Sequence, residues 1–452
     1  MVVGIALWFI KDRSRLVFAI AILVSGLLAL IALLQPIGGI IQIGPISFEL
    51  KSTALVLGRN FILENKDRLF LVFIFVAAVF WFFGSRITNT PSKFIPMSLL
   101  IISLLTAALA VEPFLYSAIL IEIAVIISLP LLIERDKPIG KGVLHYFIYQ
   151  SLAMPFILFA GWMLTGTTSN PSNTATLQIA ALLLGLGFAF WLAVFPFHVW
   201  IPELTHECQP YIVGFLLSSL PPVYFMIVLK YIDGLTWFKN ADFLAPTLQV
   251  VGVVMIVTSG FWAASLPDLK RLFGYLVIIS SGFSLLCISL QNQIGTNLFY
   301  ISLIPHIIAL GVFSYALTVL QKNRVEFDLN GLSGLIRKFP VTFIAIFSSI
   351  LSIIGLPLFA GFSLNLELLE QLSSHTVLLI WIFIGYAAMM IAVFRLLFVV
   401  IGNINSRWTI TETTGDILFL TAGIFALVLM GIFPSIFMGG IWSFVSPLLA
   451  LN

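Results

Sequence analysis

Six side chains able to hold, move or steer a proton stand in or beside strongly apolar sequence: Glu122, His198, Glu203, Lys270, His306 and Arg395. Glu122 is the sharpest case, lying in the middle of the apolar run between Pro113 and Glu134. An ionisable group at the centre of a bilayer costs ~2.5–3.5 kcal/mol even on the gentlest scale, so one that persists there is functional or paired. A buried carboxyl suits a proton relay; its structural alternative is a hydrogen bond between helices. His306 follows Pro305 inside another apolar run; a free histidine titrates near neutrality, so the residue type suits proton transfer or hydrogen-bonded packing. Lys270, next to Arg271, reads either as a buried relay member or as one of a snorkelling pair at a span end. Arg395 stays protonated at ordinary pH, so it suits holding a carboxylate or tuning a neighbour better than relaying protons. Glu367 and Glu370 share one helical face and mark either a proton route or an exposed flank.

The elements that must position these groups centre on residues 189–228. One apolar run ends in Phe195-Pro196-Phe197-His198-Val199-Trp200-Ile201-Pro202-Glu203. A polar elbow follows (Thr205, His206, Glu207, Cys208, Gln209), and a second apolar run opens at Tyr211. Pro221 and Pro222 sit at the centre of that second run. Proline removes a backbone donor and clashes with the preceding turn, so a break or kink is expected there. Such a break is tolerated at membrane depth only where protein or a wet cavity satisfies the freed backbone groups.

Composition sets the class. Hydrophobic residues make up 60% of the 452-residue chain and charged residues only 9%, against roughly a quarter charged in a soluble protein. Apolar runs recur from end to end, and about 13 (12–14) spans are expected. They start near Leu16, Arg68, Phe94, Pro113, Leu144, Thr176, Tyr211, Phe243, Leu272, Asn297, Val341, Thr376 and Gly415. Met1–Ile10 is too short to cross, and Lys11, Arg13 and Arg15 before the 16–34 run read as a signal anchor. Residues 41–59 alternate like a surface hairpin. Cys208 and Cys287 offer neither metal spacing nor a disulfide framework. With the N-terminus inside, fifteen Lys and Arg fall on inner segments and six on outer ones, Arg395 excepted. This positive-inside asymmetry places the N-terminus in the cytoplasm and the C-terminus outside.

The Pro-Phe-His-x-Trp-x-Pro-acid motif at 196–203 resembles the antiporter-like membrane subunits of complex I and their relatives in membrane-bound hydrogenases and multisubunit cation/proton antiporters. Further matches follow in order. Asn65-Lys66-Asp67 sits where the family has an acid before an early helix. Leu120-Ile121-Glu122-Ile123 looks like its Glu-bearing fifth helix, and Leu144-His145-Tyr146-Phe147 like its Lys-Tyr-Phe segment. Asp268-Leu269-Lys270-Arg271-Leu272-Phe273-Gly274-Tyr275 is similar to Asp-x-Lys-Arg-Leu-x-Ala-Tyr. Ala309-Leu310-Gly311-Val312-Phe313 resembles the Leu-Gly-Ala-Phe of the quinone-proximal subunit type, and 353–362 the stretch before a second broken helix. The resemblance covers about Glu64 to Arg395.

It implies an all-α membrane protein, one polytopic domain over 1–452 with two inverted-repeat bundles (about 94–232 and 243–400). Discontinuous helices are expected at Pro221, Pro222, Pro357 and Gly361. It also implies a membrane subunit of a complex I-like assembly, taking part in proton translocation coupled to electron transfer from NADH or another donor to quinone. Glu122, Lys270, His306, Arg395, His198 and Glu203 would form its proton pathway. The sequence departs from the pattern at three positions. The family's helix-seven lysine, which pairs with the glutamate at Glu122, falls at Pro222; a histidine falls at Ser280; a further lysine falls at Asn365. Two alternatives stand beside this reading: a non-transporting scaffold with a decayed relay, and a subunit of a hydrogenase or cation/proton antiporter. The chain carries no dinucleotide loop, flavin motif or iron–sulfur cysteine cluster. Quinone, flavin and iron–sulfur clusters are therefore expected only in partner subunits, with no cofactor or metal on this chain. The expected partners are other membrane subunits and the lipid bilayer, with no nucleic acid. The expected location is a bacterial or archaeal plasma membrane or an organelle's energy-transducing membrane.

Overall fold

A computed structural model describes residues 1–38, 40–43, 46–49, 52–56, 58–88, 90–133, 138–164, 174–265, 268–402, 408–437 and 439. Arg135, Lys137 and Arg407, which contribute to the charge asymmetry, lie outside the described residues, as does Lys51.

With no water to satisfy backbone polar groups in hydrocarbon, apolar runs this long can cross only as helices or closed barrels. Here they are helices. α1 (Val2–Phe9) and α2 (Ser14–Leu34) lead into two small antiparallel hairpins. These are β1 (Ile40–Ile43) with β2 (Ile46–Glu49), and β3 (Thr53–Val56) with β4 (Arg59–Ile62). The hairpin expectation for 41–59 is therefore met twice over, and β5 (Val111–Glu112) adds a third strand beside β4. The helices continue as α3 (Arg68–Ile87), α4 (Phe94–Ala110), α5 (Ser117–Leu132), α6 (Lys141–Leu164), α7 (Thr174–Trp191), α8 (Trp200–Glu207), α9 (Pro210–Gly234), α10 (Thr236–Lys239), α11 (Leu244–Ser265), α12 (Leu269–Ser289), α13 (Gln293–Lys322), α14 (Pro340–Ile354), α15 (Gly361–Gln371), α16 (Thr376–Ile401) and α17 (Thr414–Ile432). Ten of them are long and apolar enough to cross a membrane, and α4, α7 and α14 are shorter apolar helices.

Burial shows which helices lie at the centre. The most apolar windows of α9, α12 and α13 are 83%, 100% and 89% buried, whereas those of α2 and α17 are only 22% buried. The outer helices thus keep apolar faces for lipid, while α9, α12 and α13 are enclosed by protein. Around them α6 packs on α7 and α8, α11 on α12 and α16, and α14 on α13 and α17.

The two interruptions differ from expectation in one respect. The second is a true break: α14 ends at Gly355, whose φ of 82° is the left-handed geometry that glycine adopts without strain. Pro357 lies in the gap, and α15 restarts at Gly361. The first break falls earlier than Pro221 and Pro222. The chain turns after α7, runs through α8, and breaks again at Cys208 and Gln209 before α9. α9 then carries both prolines without interruption. The prolines leave the carbonyls of Leu217 and Ser218, four residues back, without their helical donors. Both residues line a small internal cavity, so α9 accommodates the prolines rather than ending at them.

Candidate functional site

Glu122 projects from α5 toward α6, where Ser151 Oγ donates a 2.6 Å hydrogen bond to its Oε1. Its Oε2 is buried with no hydrogen-bond partner. The carboxylate lies within electrostatic reach of the Tyr146 and Tyr224 hydroxyls. Tyr224, on α9, donates to Gln150 Oε1 at 2.7 Å and stacks on Trp191 at 4.9 Å between ring centres. Tyr146 and Ser128 share a hydrogen bond of 2.9 Å. A polar cluster drawn from α5, α6 and α9 therefore surrounds a single carboxyl. Ser128, Tyr146, Gln150, Ser151 and Tyr224 were not among the residues expected at the site. Tyr146 and Gln150 recur at helical spacing along α6, and no sequence signal marked Ser128, Ser151 or Tyr224.

One end of this cluster runs into the elbow. His145, near the start of α6, lies 2.5 Å from Glu203 on α8. Glu207 accepts the backbone N–H of Gly142 at 2.7 Å, in the first turn of α6 where a helix favours negative charge. A Cβ at Gly142 would sit 2.6 Å from the backbone of Glu203 and Leu204, so only glycine lets α6 and α8 come this close. The third tether joins His206 to Asp268, the N-cap of α12, at 2.9 Å. Burial raises the Asp268 carboxyl, but the His206 bond, the Arg271 amide and the charges of His206 and Arg271 outweigh it and hold Asp268 below its ordinary value. His198 occupies the 3-10 turn Phe197–Val199 against the Phe195 ring, and burial lowers its imidazole, partly offset by the Pro196 carbonyl.

The remaining expected residues lie elsewhere. Lys270 sits in the first turn of α12, buried, with its ammonium 4.6 Å from the centre of the Phe327 ring. It is a covered cation at the elbow end of that helix. Arg395 donates to the Ala264 carbonyl at 2.7 Å, at the last turn of α11. A cation at a helix C-terminus satisfies an orphan carbonyl and complements the dipole, so Arg395 acts as a cap on α11. Glu367 accepts from Gln371 along α15 and makes no described contact with Glu122.

Across α9 from Tyr224 lies a second polar space of about 30 Å³, lined by Ser218, Pro221, Pro222, Ser280, Ser281, Ser284 and His306 among apolar neighbours. His306 is its one ionisable lining residue among those described, and it packs edge-on to Phe283 at 5.4 Å. Pro222 thus faces His306 and the α12 serines, and the α9 residue turned toward Glu122 is Tyr224. The expected pairing of position 222 with Glu122 does not fit this geometry. Ser280 lines the same cavity. Asn365 follows the second break, accepting from Tyr386 Oη at 2.7 Å and donating to the Gly361 carbonyl.

Along the same two helices, past Phe225 and Phe299, whose rings meet edge-on at 5.8 Å, a cavity of about 750 Å³ opens. Tyr300, Glu64, Glu112 and Asp233 line it. So do Asp67 and Lys230, whose buried charges pair at 3.0 Å. Sequence position alone makes both look like solvated span ends.

Residues 119–392, more than half of the chain, match the NADH:quinone oxidoreductase/Mrp antiporter transmembrane family. The chain belongs to that family. A curated relative, NADH-quinone oxidoreductase subunit N 2 of Acidobacterium capsulatum, is 26% identical over 248 residues, covering 51% of this chain and 50% of the relative. The chain thus spans about half the length of the first curated relatives it matches. Two solved assemblies contain similar folds. One is an archaeal membrane-bound sulfane sulfur reductase (TM-score 0.81, 17% identity, 98% of this chain and 94% of that one). The other is respiratory complex I of Thermus thermophilus with bound aureothin (TM-score 0.75, 18% identity, 97% of each chain). At these identities the likeness is one of fold. Within this family member, the Glu122 cluster, the elbow and His306 with the serines of its cavity fall inside the matched segment.

Proposed function

We propose that this chain is an antiporter-like membrane subunit of a complex I-like assembly and takes part in proton translocation coupled to electron transfer to quinone. The observation that carries the reading is Glu122: a carboxyl inside an apolar helix, bonded by Ser151, with one oxygen left without a partner. A buried oxygen of that kind is ready to take up a proton or a bridging water. Protons would pass from the elbow, where His145 and Glu203 meet, along Tyr146, Gln150 and Tyr224 to Glu122. From there they would cross α9 to His306 and its serines, and leave by the large cavity that Asp67 and Lys230 close. His198 would shape the elbow, and Lys270 and Arg395 would act as fixed cations. Quinone, flavin and iron–sulfur clusters would belong to partner subunits. The first bundle would be α4–α9 and the second α11–α16, with the N-terminus cytoplasmic, as the basic inner segments favour.

A scaffold role is favoured by one set of residues: Pro222, Ser280 and Asn365 are uncharged where the resemblance implies lysine, histidine and lysine. The two readings separate in one experiment. The assembly is purified through a tag on this chain, reconstituted in vesicles and supplied with electron donor and quinone. Lumen acidification that falls when this chain carries Glu122→Gln supports transport. Donor-driven acidification unchanged in that variant supports the scaffold. Failure to recover complex I-like partner subunits with the tag overturns the assembly assignment.

A further inference from the structure

We propose that a basic cavity at one membrane interface, between α2, α3 and the start of α4, binds the phosphate headgroup of an anionic phospholipid. The cavity measures about 290 Å³ and is lined by Lys11, Ser14, Arg15, Phe18, Arg86 and Thr90 among others. Its three charged lining residues, Lys11, Arg15 and Arg86, are all basic. Among the described residues, none of the three is in an ion pair with a carboxylate. Arg15 and Arg86 are exposed at its mouth and Lys11 is half-buried; three cations around one cavity repel one another, and an anion relieves that repulsion. Their stems are already oriented: the Lys11 ammonium lies 4.3 Å from the Trp8 ring centre, and the Arg86 guanidinium 5.0 Å from that of Phe18. α2 also begins at Ser14 with no side-chain cap, so its first backbone donors add to the positive field.

Position identifies the anion's source. α2 begins, α3 ends and α4 begins around this cavity, so it lies level with headgroups and not at mid-membrane. One turn into the membrane from Arg86, α3 presents exposed Phe83, and two turns further exposed Val76, an apolar surface along which acyl chains can lie. Basic pockets between spans at the membrane surface are the kind of site that holds anionic lipid. A soluble phosphate would share the headgroup chemistry but make no use of that apolar surface.

The test uses the whole assembly, stripped of lipid in detergent, with thermal unfolding followed as lipid is returned. Phosphatidylglycerol is expected to raise the Tm, whereas phosphatidylcholine with the same chains and inorganic phosphate leave it unchanged. Arg15→Gln combined with Arg86→Gln is expected to lose most of the shift, while Lys66→Gln, at the far end of α3, keeps it. Should the double variant fail to assemble, Lys11→Gln and Arg15→Gln alone are each expected to raise the half-saturating lipid concentration roughly threefold or more. Equal shifts in wild type and variants overturn the site. Inorganic phosphate reproducing the shift overturns the lipid assignment. So does Ser92→Cys if it cross-links to a protein subunit in native membranes.

Discussion

The Asp67 carboxylate and the Lys230 ammonium meet at 3.0 Å, both almost wholly buried, just before α3 begins and in the last turns of α9. Lys230 also donates to the Leu109 carbonyl at 2.7 Å, so one ammonium ties together segments that enter the fold far apart in sequence. Removing one partner of a buried pair leaves the other charge uncompensated, at about 3–5 kcal/mol. Lys230→Met is therefore expected to lower the Tm of the purified assembly more than the double change Lys230→Met with Asp67→Asn. A double variant as unstable as the sum of the two singles contradicts the pairing.

Pro222 faces the serines of α12 and His306, and Tyr224 is the α9 residue near Glu122. A lysine introduced at 222 therefore has no counter-charge in Glu122. Measured against Pro222→Ala, Pro222→Lys is expected to cost the same stability with Glu122 or with Glu122→Gln, within about 0.5 kcal/mol. A markedly greater cost in the Gln background makes the two positions neighbours.

Arg395 caps α11 through Ala264, so its loss should register as stability. A hydrogen bond from a charged donor contributes about 1.5–3 kcal/mol. Arg395→Gln is expected to lower the Tm and leave protons pumped per electron unchanged in the assemblies that form. A loss of pumping at unchanged Tm would return Arg395 to the proton path.

Helices were the most legible part of the sequence, because long apolar runs have one solution in lipid, and each described span starts close to its expected position. The break at Gly355–Gly361 was expected from the resemblance, and the left-handed Gly355 ends α14 there. α9 was less so: whether Pro221 and Pro222 end a helix depends on the cavity beside Leu217 and Ser218, which other helices build. The elbow motif singled out Glu203, but the His145 it meets sits in another helix. Lys270 read either as a buried relay member or as a span-end cation, and the segment bearing Phe327, which its ammonium faces, decides for burial. Ser151 and Gln150 were invisible as partners of Glu122 and Tyr224, because the rotation of α5 and α9 against α6 is a packing outcome.

The His206–Asp268 tether predicts an acid-side effect. Asp268 has its carboxyl held below the ordinary carboxylate value. A depressed carboxyl contributes stability that is present above its unfolded value, about 3.9, and is lost as pH falls through the folded one. The Tm gap between wild type and Asp268→Asn is expected to be present at about pH 5 and to shrink as pH falls below about 4. A gap that is constant down to pH 3 contradicts the ionic tether.

Transport through this chain requires Glu122 as a titrating group, and the direct measurement is protons translocated per electron in vesicles containing the assembly with Glu122→Gln. Glutamine keeps the shape and still accepts the Ser151 hydrogen bond, so assembly and the electron-transfer centres of partner subunits should be retained. The predicted result is an intact complex whose proton-to-electron ratio falls below wild type. An intact complex with the wild-type ratio would contradict it.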